Sequence, residues 1–133
     1  MEKRKVIAHI ECNSTGYYTV YTNEEFPFGF FGEGNTAKEA MDDFVATFKA
    51  FRDDHNERTG EYIDAEFTFI YDASAILQEY KEIINLRALA EVTGISKAML
   101  SQYACGTRHP KPAQRQRIIA GIHEMGKRCL AAE

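Results

Sequence analysis

Apolar and polar positions alternate with a period of two in the first part of the chain and recur every three or four residues in the last part. That switch predicts strands first and helices after them. Val6, Ala8, Ile10 and Cys12 alternate with Ile7, His9 and Glu11, which predicts a strand. The turn cluster Asn13-Ser14-Thr15-Gly16 leads into a second β-rich run, Tyr17 to Thr22, and the two predict a hairpin. A third strand is expected around Phe28–Phe31, kept short or at an edge by Pro27 and the nearby glycines. Thr36 and Glu39 then form a capping box ahead of Met41, Phe44, Phe48 and Phe51, the apolar stripe of a helix packing on a sheet. A polar loop is expected over 53–60 and a fourth strand over Tyr62–Tyr71, with Ile63, Ala65, Phe67, Phe69 and Tyr71 facing one way. The order β-β-β-α-β defines a small α+β layer.

From Asp72 onward the period is helical. Asp72 caps a helix expected to run from Ala73 to about Ile84, with Ile76, Leu77, Tyr80, Ile83 and Ile84 on its apolar face. In Leu86–Gly106, LRALAEVTGISKAMLSQYACG, Leu89 and Ala90 face inward on one short helix, and Gly94 supplies a turn of positive φ. Ile95 plugs the space between helices, Ser96 caps the next one, and Leu100 and Tyr103 turn inward. Lys97, Ala98, Ser101 and Gln102 are left on an outer face that is short-chained and polar, as a helix lying in a major groove requires. Past Lys111-Pro112 a long helix is expected from about Ala113 to Leu130. Its stripe of Ile118, Ile122, Met125 and Cys129, widened by Ile119 and Leu130, exceeds what a four-helix domain needs and suggests a dimer seam. The expected division is a sheet domain over 1–72 and an all-α helix-turn-helix domain over 73–133.

Charge sharpens this division. The chain of 133 residues has a formal net charge of −4, but residues 1–72 hold seven lysines and arginines against fifteen acids, a net of −8. Residues 73–133 hold nine against five, a net of +4. Two surfaces for two partners follow: a basic one for phosphates and an acidic one for something cationic. Double-stranded DNA is the expected partner of the basic half. Gln102 suits bidentate bonding to an adenine edge, and Ser96, Lys97, Ala98 and Ser101 complete the groove-facing set. Arg87, Arg108, Lys111 and Arg115 are candidate phosphate contacts, whereas Arg117, Lys127 and Arg128 read as a solvated helix face. One such unit buries little DNA, so a homodimer or higher homo-oligomer on paired operator half-sites is expected.

Other chemistries find less support. Glu11, Asp64 and Glu66 are single acids on strand positions, without the converging cluster that a two-metal nuclease needs. Cys105 and His109 make a Cys-x₃-His pair with three residues between them, and His123 and Cys129 are six apart on one helix, which is not the spacing of a structural zinc site. No catalytic residue, metal or cofactor is expected. Three cysteines without paired spacing, no apolar run near twenty residues and no apolar stretch of signal-peptide length at the N-terminus predict a cytoplasmic chain with no membrane partner.

Two resemblances attach to these residues. Leu86–Gly106 resembles the Cro/XRE-type helix-turn-helix of bacterial and phage repressors. Gly34-Asn35-Thr36-Ala37-Lys38-Glu39-Ala40, entered from a third strand, resembles the turn into the helix of HicB-like antitoxins, whose N-terminal domain is a degraded, partial RNase H-like fold. The sequence departs from that family before the turn, where Glu25-Phe26-Pro27-Phe28-Gly29-Phe30-Phe31 replaces its usual proline-rich segment. The resemblance implies a transcriptional autoregulator that represses its operon and occludes a small basic ribonuclease toxin. The residues alone leave open a stand-alone regulator whose sheet domain only oligomerises or senses a ligand.

Overall fold

A computed structural model describes residues 3–133, which are mixed α and β with a four-stranded sheet and five helices. The chain divides into two compact units. The first comprises residues up to Cys12 together with Gly16–Tyr71, and the second comprises Asn13–Thr15 together with Asp72–Glu133.

In the first unit the elements are β1 (Arg4–Cys12), β2 (Tyr18–Tyr21), β3 (Gly32–Gly34), α1 (Ala37–Thr59) and β4 (Ala65–Tyr71). The sheet order is β3-β2-β1-β4, antiparallel except for the parallel pair β1/β4. The period-two pattern of β1 buries Val6, Ala8, Ile10 and Cys12. They meet the buried line Ala37, Ala40, Phe44, Phe48 and His55 of α1 across one core, together with Tyr18 and Val20 of β2.

Three expectations change here. The third strand is Gly32–Gly34 and not Phe28–Phe31. Phe26, Phe28 and Phe30 instead turn their rings onto Phe48, with centroids 5.6, 6.0 and 5.2 Å away, so ring packing wins over strand pairing in that stretch. The polar run expected as a loop over 53–60 continues α1 to Thr59. Its charged residues lie on the solvent side, His55 extends the buried line, and Gly60 (φ 76°) closes the helix with its N–H on the Asn56 carbonyl. Phe51 drifts off that line and is 44% exposed. Finally, β4 starts at Ala65 and not Tyr62, because Asn56 ties down the preceding segment. Its Nδ2 donates to the Ile63 carbonyl and its Oδ1 accepts the Ile63 N–H, both at 2.9 Å.

The turn into α1 is fixed by two devices. Thr36 Oγ1 accepts the Glu39 N–H at 3.0 Å, and the Glu39 carboxylate reaches back to the Asn35 N–H at 2.8 Å, one residue further than a simple capping box. The second device is space. A Cβ on Gly32 would fall onto Phe44 N and Ala40 O, and one on Gly34 would sit 2.6 Å from Glu39 Cβ, so β3 lies against the α1 backbone only because both are glycine.

The second unit contains α2 (Ala73–Glu79), α3 (Leu86–Thr93), α4 (Lys97–Ala104) and α5 (Pro112–Leu130). Asp72 belongs with it, as the N-cap whose carboxylate accepts the Ala75 N–H at 2.7 Å. Helix α2 ends at Glu79, five residues before the expected Ile84. The chain turns over Tyr80, whose carbonyl takes both the Ile83 and Ile84 N–H groups, and this frees Asn85 to adopt the extended backbone of an N-cap for α3. Leu77, Leu89, Ile95, Leu100, Tyr103 and Ile118 form the core, with Ile119, Ile122 and Met125 packed against it. Cys129 and Leu130 lie beyond that core and are exposed.

Two measurements test this account. Gly32→Ala should destabilise the chain by about 3 kcal/mol in denaturant unfolding, whereas Gly29→Ala, where a Cβ meets nothing within 4 Å, should be near neutral. The second concerns Asp64, which bonds Arg52 at 2.9 Å and has Lys3 at 3.8 Å. Burial alone would raise its pKa, but hydrogen bonds from Arg52 and the Ala65 N–H and the charges of Arg52 and Lys3 outweigh burial and hold it below the ordinary value. A depressed folded pKa gives stability that is present above the unfolded value of about 3.9 and is lost as pH falls through the folded one. Asp64→Asn should therefore be less stable than the parent at neutral pH, and the gap should narrow in acid titrations below that value.

Candidate nucleic-acid interface

Helix α3, the turn 94–96 and helix α4 are built from capping groups. Asn85 Oδ1 accepts the Arg87 and Ala88 N–H groups at 3.0 and 3.1 Å, which starts α3. Gly94 ends it at φ 74°, a conformation that would strain any side chain, with its N–H on the Ala90 carbonyl. Ile95 is buried, and Ser96 Oγ accepts the Met99 N–H at 3.2 Å to start α4. Thr93 Oγ1 donates to the Leu89 carbonyl at 2.8 Å and accepts the Ile95 N–H at 3.2 Å, so one buried hydroxyl links the end of α3 to the turn.

With Leu100, Tyr103 and Ala104 buried and Met99 packed against the same core, the exposed positions of α4 are Lys97, Ala98, Ser101 and Gln102. Lys97 and Ser101 stand four residues apart, as do Ala98 and Gln102, which puts all four on one exposed face. That face offers an ammonium, a hydroxyl, and an amide with both donor and acceptor, around a methyl-sized gap at Ala98. Ser96 is exposed at its N-terminal end, with its oxygen engaged as the cap. Arg87 is exposed at the start of α3, and Lys111 and Arg115 are exposed at the N-cap and first turn of α5. Arg108 folds back toward α4. Its N–H donates to the Gln102 carbonyl at 3.4 Å and its Nη1 lies 3.9 Å from Met99 Sδ.

Ion pairing separates these cations from most of those in the sheet unit. Lys3, Arg4, Lys38, Arg52 and Arg58 of the sheet unit all pair with acids. None of the ion pairs among the described residues engages Arg87, Lys97, Arg108, Lys111 or Arg115.

Arg117, expected on a solvated face with Lys127 and Arg128, has a different place. Its Nη2 donates to the Thr93 carbonyl at 2.6 Å and its Nη1 to Gln114 Oε1 at 2.7 Å, so it ties α5 to the carbonyl end of α3. Its guanidinium also occupies the space beside Gly94, 2.9 Å from where a Cβ would stand. Arg128 pairs with Glu124 at 3.2 Å, and Lys127 is exposed. Gly121 is a second feature the periodicity does not reveal: a Cβ there would lie 2.5 Å from Thr93 Cγ2 and 3.2 Å from Leu89 Cδ1. The i, i+4 offset of Arg117 and Gly121 on one face of α5 is the signal that marks both as facing α3.

The acids considered for metal chemistry do not converge. Glu66 pairs in register with Lys5 on β1, and Glu11 lies six residues further along that strand, on the order of 20 Å away. Glu11 accepts the Tyr21 hydroxyl at 2.8 Å, and Asp64 is held by Arg52. Cys105, His109, His123 and Cys129 are all exposed, and no three His, Cys, Asp or Glu side chains among the described residues are placed to hold a metal ion. No helix among those residues is long and apolar enough to cross a membrane.

Comparison with models of protein families, with curated proteins and with solved structures finds no match to this chain.

Arg117→Ala should lower stability by about 1 kcal/mol, the value of a charge-assisted bond reduced by its partial exposure. Amide exchange should quicken most at the turn 94–96. Unchanged exchange there would show that Arg117 does not hold the turn.

Proposed function

We propose that this chain is a sequence-specific DNA-binding protein, a transcriptional autoregulator of antitoxin type. In this reading α3, the glycine turn and α4 are a Cro/XRE-type helix-turn-helix. Helix α4 enters the major groove, with Gln102 reading a base edge and Lys97, Ala98 and Ser101 lining the contact. Arg87, Arg108, Lys111 and Arg115 hold phosphates and fix the register. The observation that carries the reading is the outer surface of the helical unit. It is a short-chained polar helix face accompanied by five basic side chains that enter no ion pair among the described residues. Leaving five cations outside such pairs costs little in water and suits a polyanion, whose release of counterions drives binding.

The protein acts as a homodimer or higher homo-oligomer, two copies reading half-sites about one helical turn apart, roughly 34 Å. Its sheet unit, HicB-like in this reading, binds a small basic toxin, and the complex represses the operon encoding both. The net of −8 over residues 1–72 supports a cationic partner.

Binding to the DNA upstream of the gene, followed by gel shift over a range of salt, tests the DNA half. Gln102→Ala should cost about 1–3 kcal/mol on the operator and relax selectivity at one or two base positions. Lys111→Ala should weaken binding to operator and random DNA alike and reduce the salt slope by about 1. If both variants bind like the parent, the reading is wrong. Co-purification of a small basic protein from the native host tests the partner half, and its absence leaves a stand-alone regulator.

A further inference from the structure

The sheet unit carries an open cleft of about 420 Å³ between its aromatic segment and α1. Phe30 is its anchored side, packed on Phe44 with ring centroids 5.0 Å apart. Phe31 and Phe51 also line it, at 55% and 44% exposed, so two phenyl rings stand open to water. Exposed rings of this size are costly to hydrate and gain most from being covered. Glu33 and Asp43 supply the polar side of the cleft, fixed to one another where Asp43 Oδ2 accepts the Glu33 N–H at 2.9 Å.

Those two carboxylates enter no ion pair among the described residues, and Lys38, on the same helix as Asp43, is taken by Asp42 at 2.7 Å. The local field is felt by Tyr17, whose phenol is raised above its ordinary value by loss of water first and then by Glu33, Asp43 and Glu39. Apolar rings beside uncompensated carboxylates are complementary to a side chain with an apolar stem and a cationic head. An arginine can lay its guanidinium over a ring face while its fork meets carboxylate oxygens. The net of −8 over residues 1–72 extends the same preference beyond one side chain and favours a basic polypeptide over a small cation.

We infer that this cleft docks a basic polypeptide segment, seating an arginine or lysine against Phe31 and Phe51 with its charge on Glu33 and Asp43. The inference rests on the reading of the sheet unit as the binder of a cationic protein and gives that reading a site. It is independent of DNA binding.

The test uses the full chain and an end-capped peptide of alternating arginine and leucine carrying a fluorophore, with a glutamate-for-arginine peptide as control. Anisotropy should show saturable binding of the basic peptide only, weakening with salt. Backbone amide shifts should concentrate at residues 29–33, 43, 47 and 51. Phe31→Ala and Glu33→Gln, both at exposed side chains, should each weaken binding about tenfold. Asp42→Asn removes the same charge from a carboxylate already paired with Lys38 and should change little. Equal binding by parent, Phe31→Ala and Glu33→Gln would overturn the cleft while leaving a diffuse basic-partner surface. No saturable binding at millimolar peptide would overturn both the cleft and the partner reading, and operator binding by the same preparations would still stand or fall by itself.

Discussion

Both units depend on one constraint: a backbone brought close to another element at a point where no Cβ stands between them. In the sheet unit Gly32 lets β3 lie against the Ala40–Phe44 turn of α1, and in the helical unit Gly121 lets α5 lie against Leu89 and Thr93 of α3. Everything polar that follows is positioned by these approaches. With β3 against α1, the Glu33 N–H reaches Asp43. With α5 against α3, Arg117 reaches the Thr93 carbonyl at 2.6 Å. Interiors at crystal-like density tolerate little displacement, so one added methyl at either glycine would move the helix and the polar contacts beyond it.

Much of this was legible in the sequence because the relevant signals are local. Alternation gave β1, and capping residues marked the starts of α1, α2 and α4 at Thr36, Asp72 and Ser96. The groove-facing set was equally legible, since burying Leu100 and Tyr103 leaves Lys97, Ala98, Ser101 and Gln102 outside on an eight-residue helix. What sequence could not supply was competition between a local preference and a distant partner. Phe28–Phe31 has strand propensity, but α1 offers Phe44 and Phe48 as ring partners, and the rings turn inward. The polar run after Arg52 looks like a loop only if His55 is taken as solvated, and it is only 8% exposed. Arg117 belongs to the same class: an arginine among exposed residues looks like surface until the carbonyl it caps, twenty-four residues earlier, is in view.

The use made of arginine and lysine separates the two units more clearly than net charge does. In the sheet unit most cations, all but Lys5 and Lys49, serve acids of the same unit, as Arg52 does for Asp64 and Lys38 for Asp42. In the helical unit Arg117 serves a carbonyl and Arg128 pairs with Glu124, while the other seven, Lys81, Arg87, Lys97, Arg108, Lys111, Arg115 and Lys127, enter no ion pair among the described residues. A chain of net charge −4 is therefore no obstacle to the proposed DNA contact. Screening in physiological salt confines each charge to a range of about 8 Å, so a phosphate at α4 responds to Lys97 and its neighbours and not to the chain's total.

The same reasoning gives the sheet unit its direction. Folding has used most of its cations, and two of the carboxylates it leaves without an ion pair, Glu33 and Asp43, stand beside the two phenyl rings it leaves half-covered. Ring exposure alone would suit any apolar surface, including a second copy of the chain, and carboxylates alone would be ordinary solvated surface. Their coincidence opposes a symmetric pairing of two such clefts, because that would set Glu33 and Asp43 against their own like charges in a space emptied of water. A basic segment removes both costs at once, covering the rings with its stem and neutralising the carboxylates with its head.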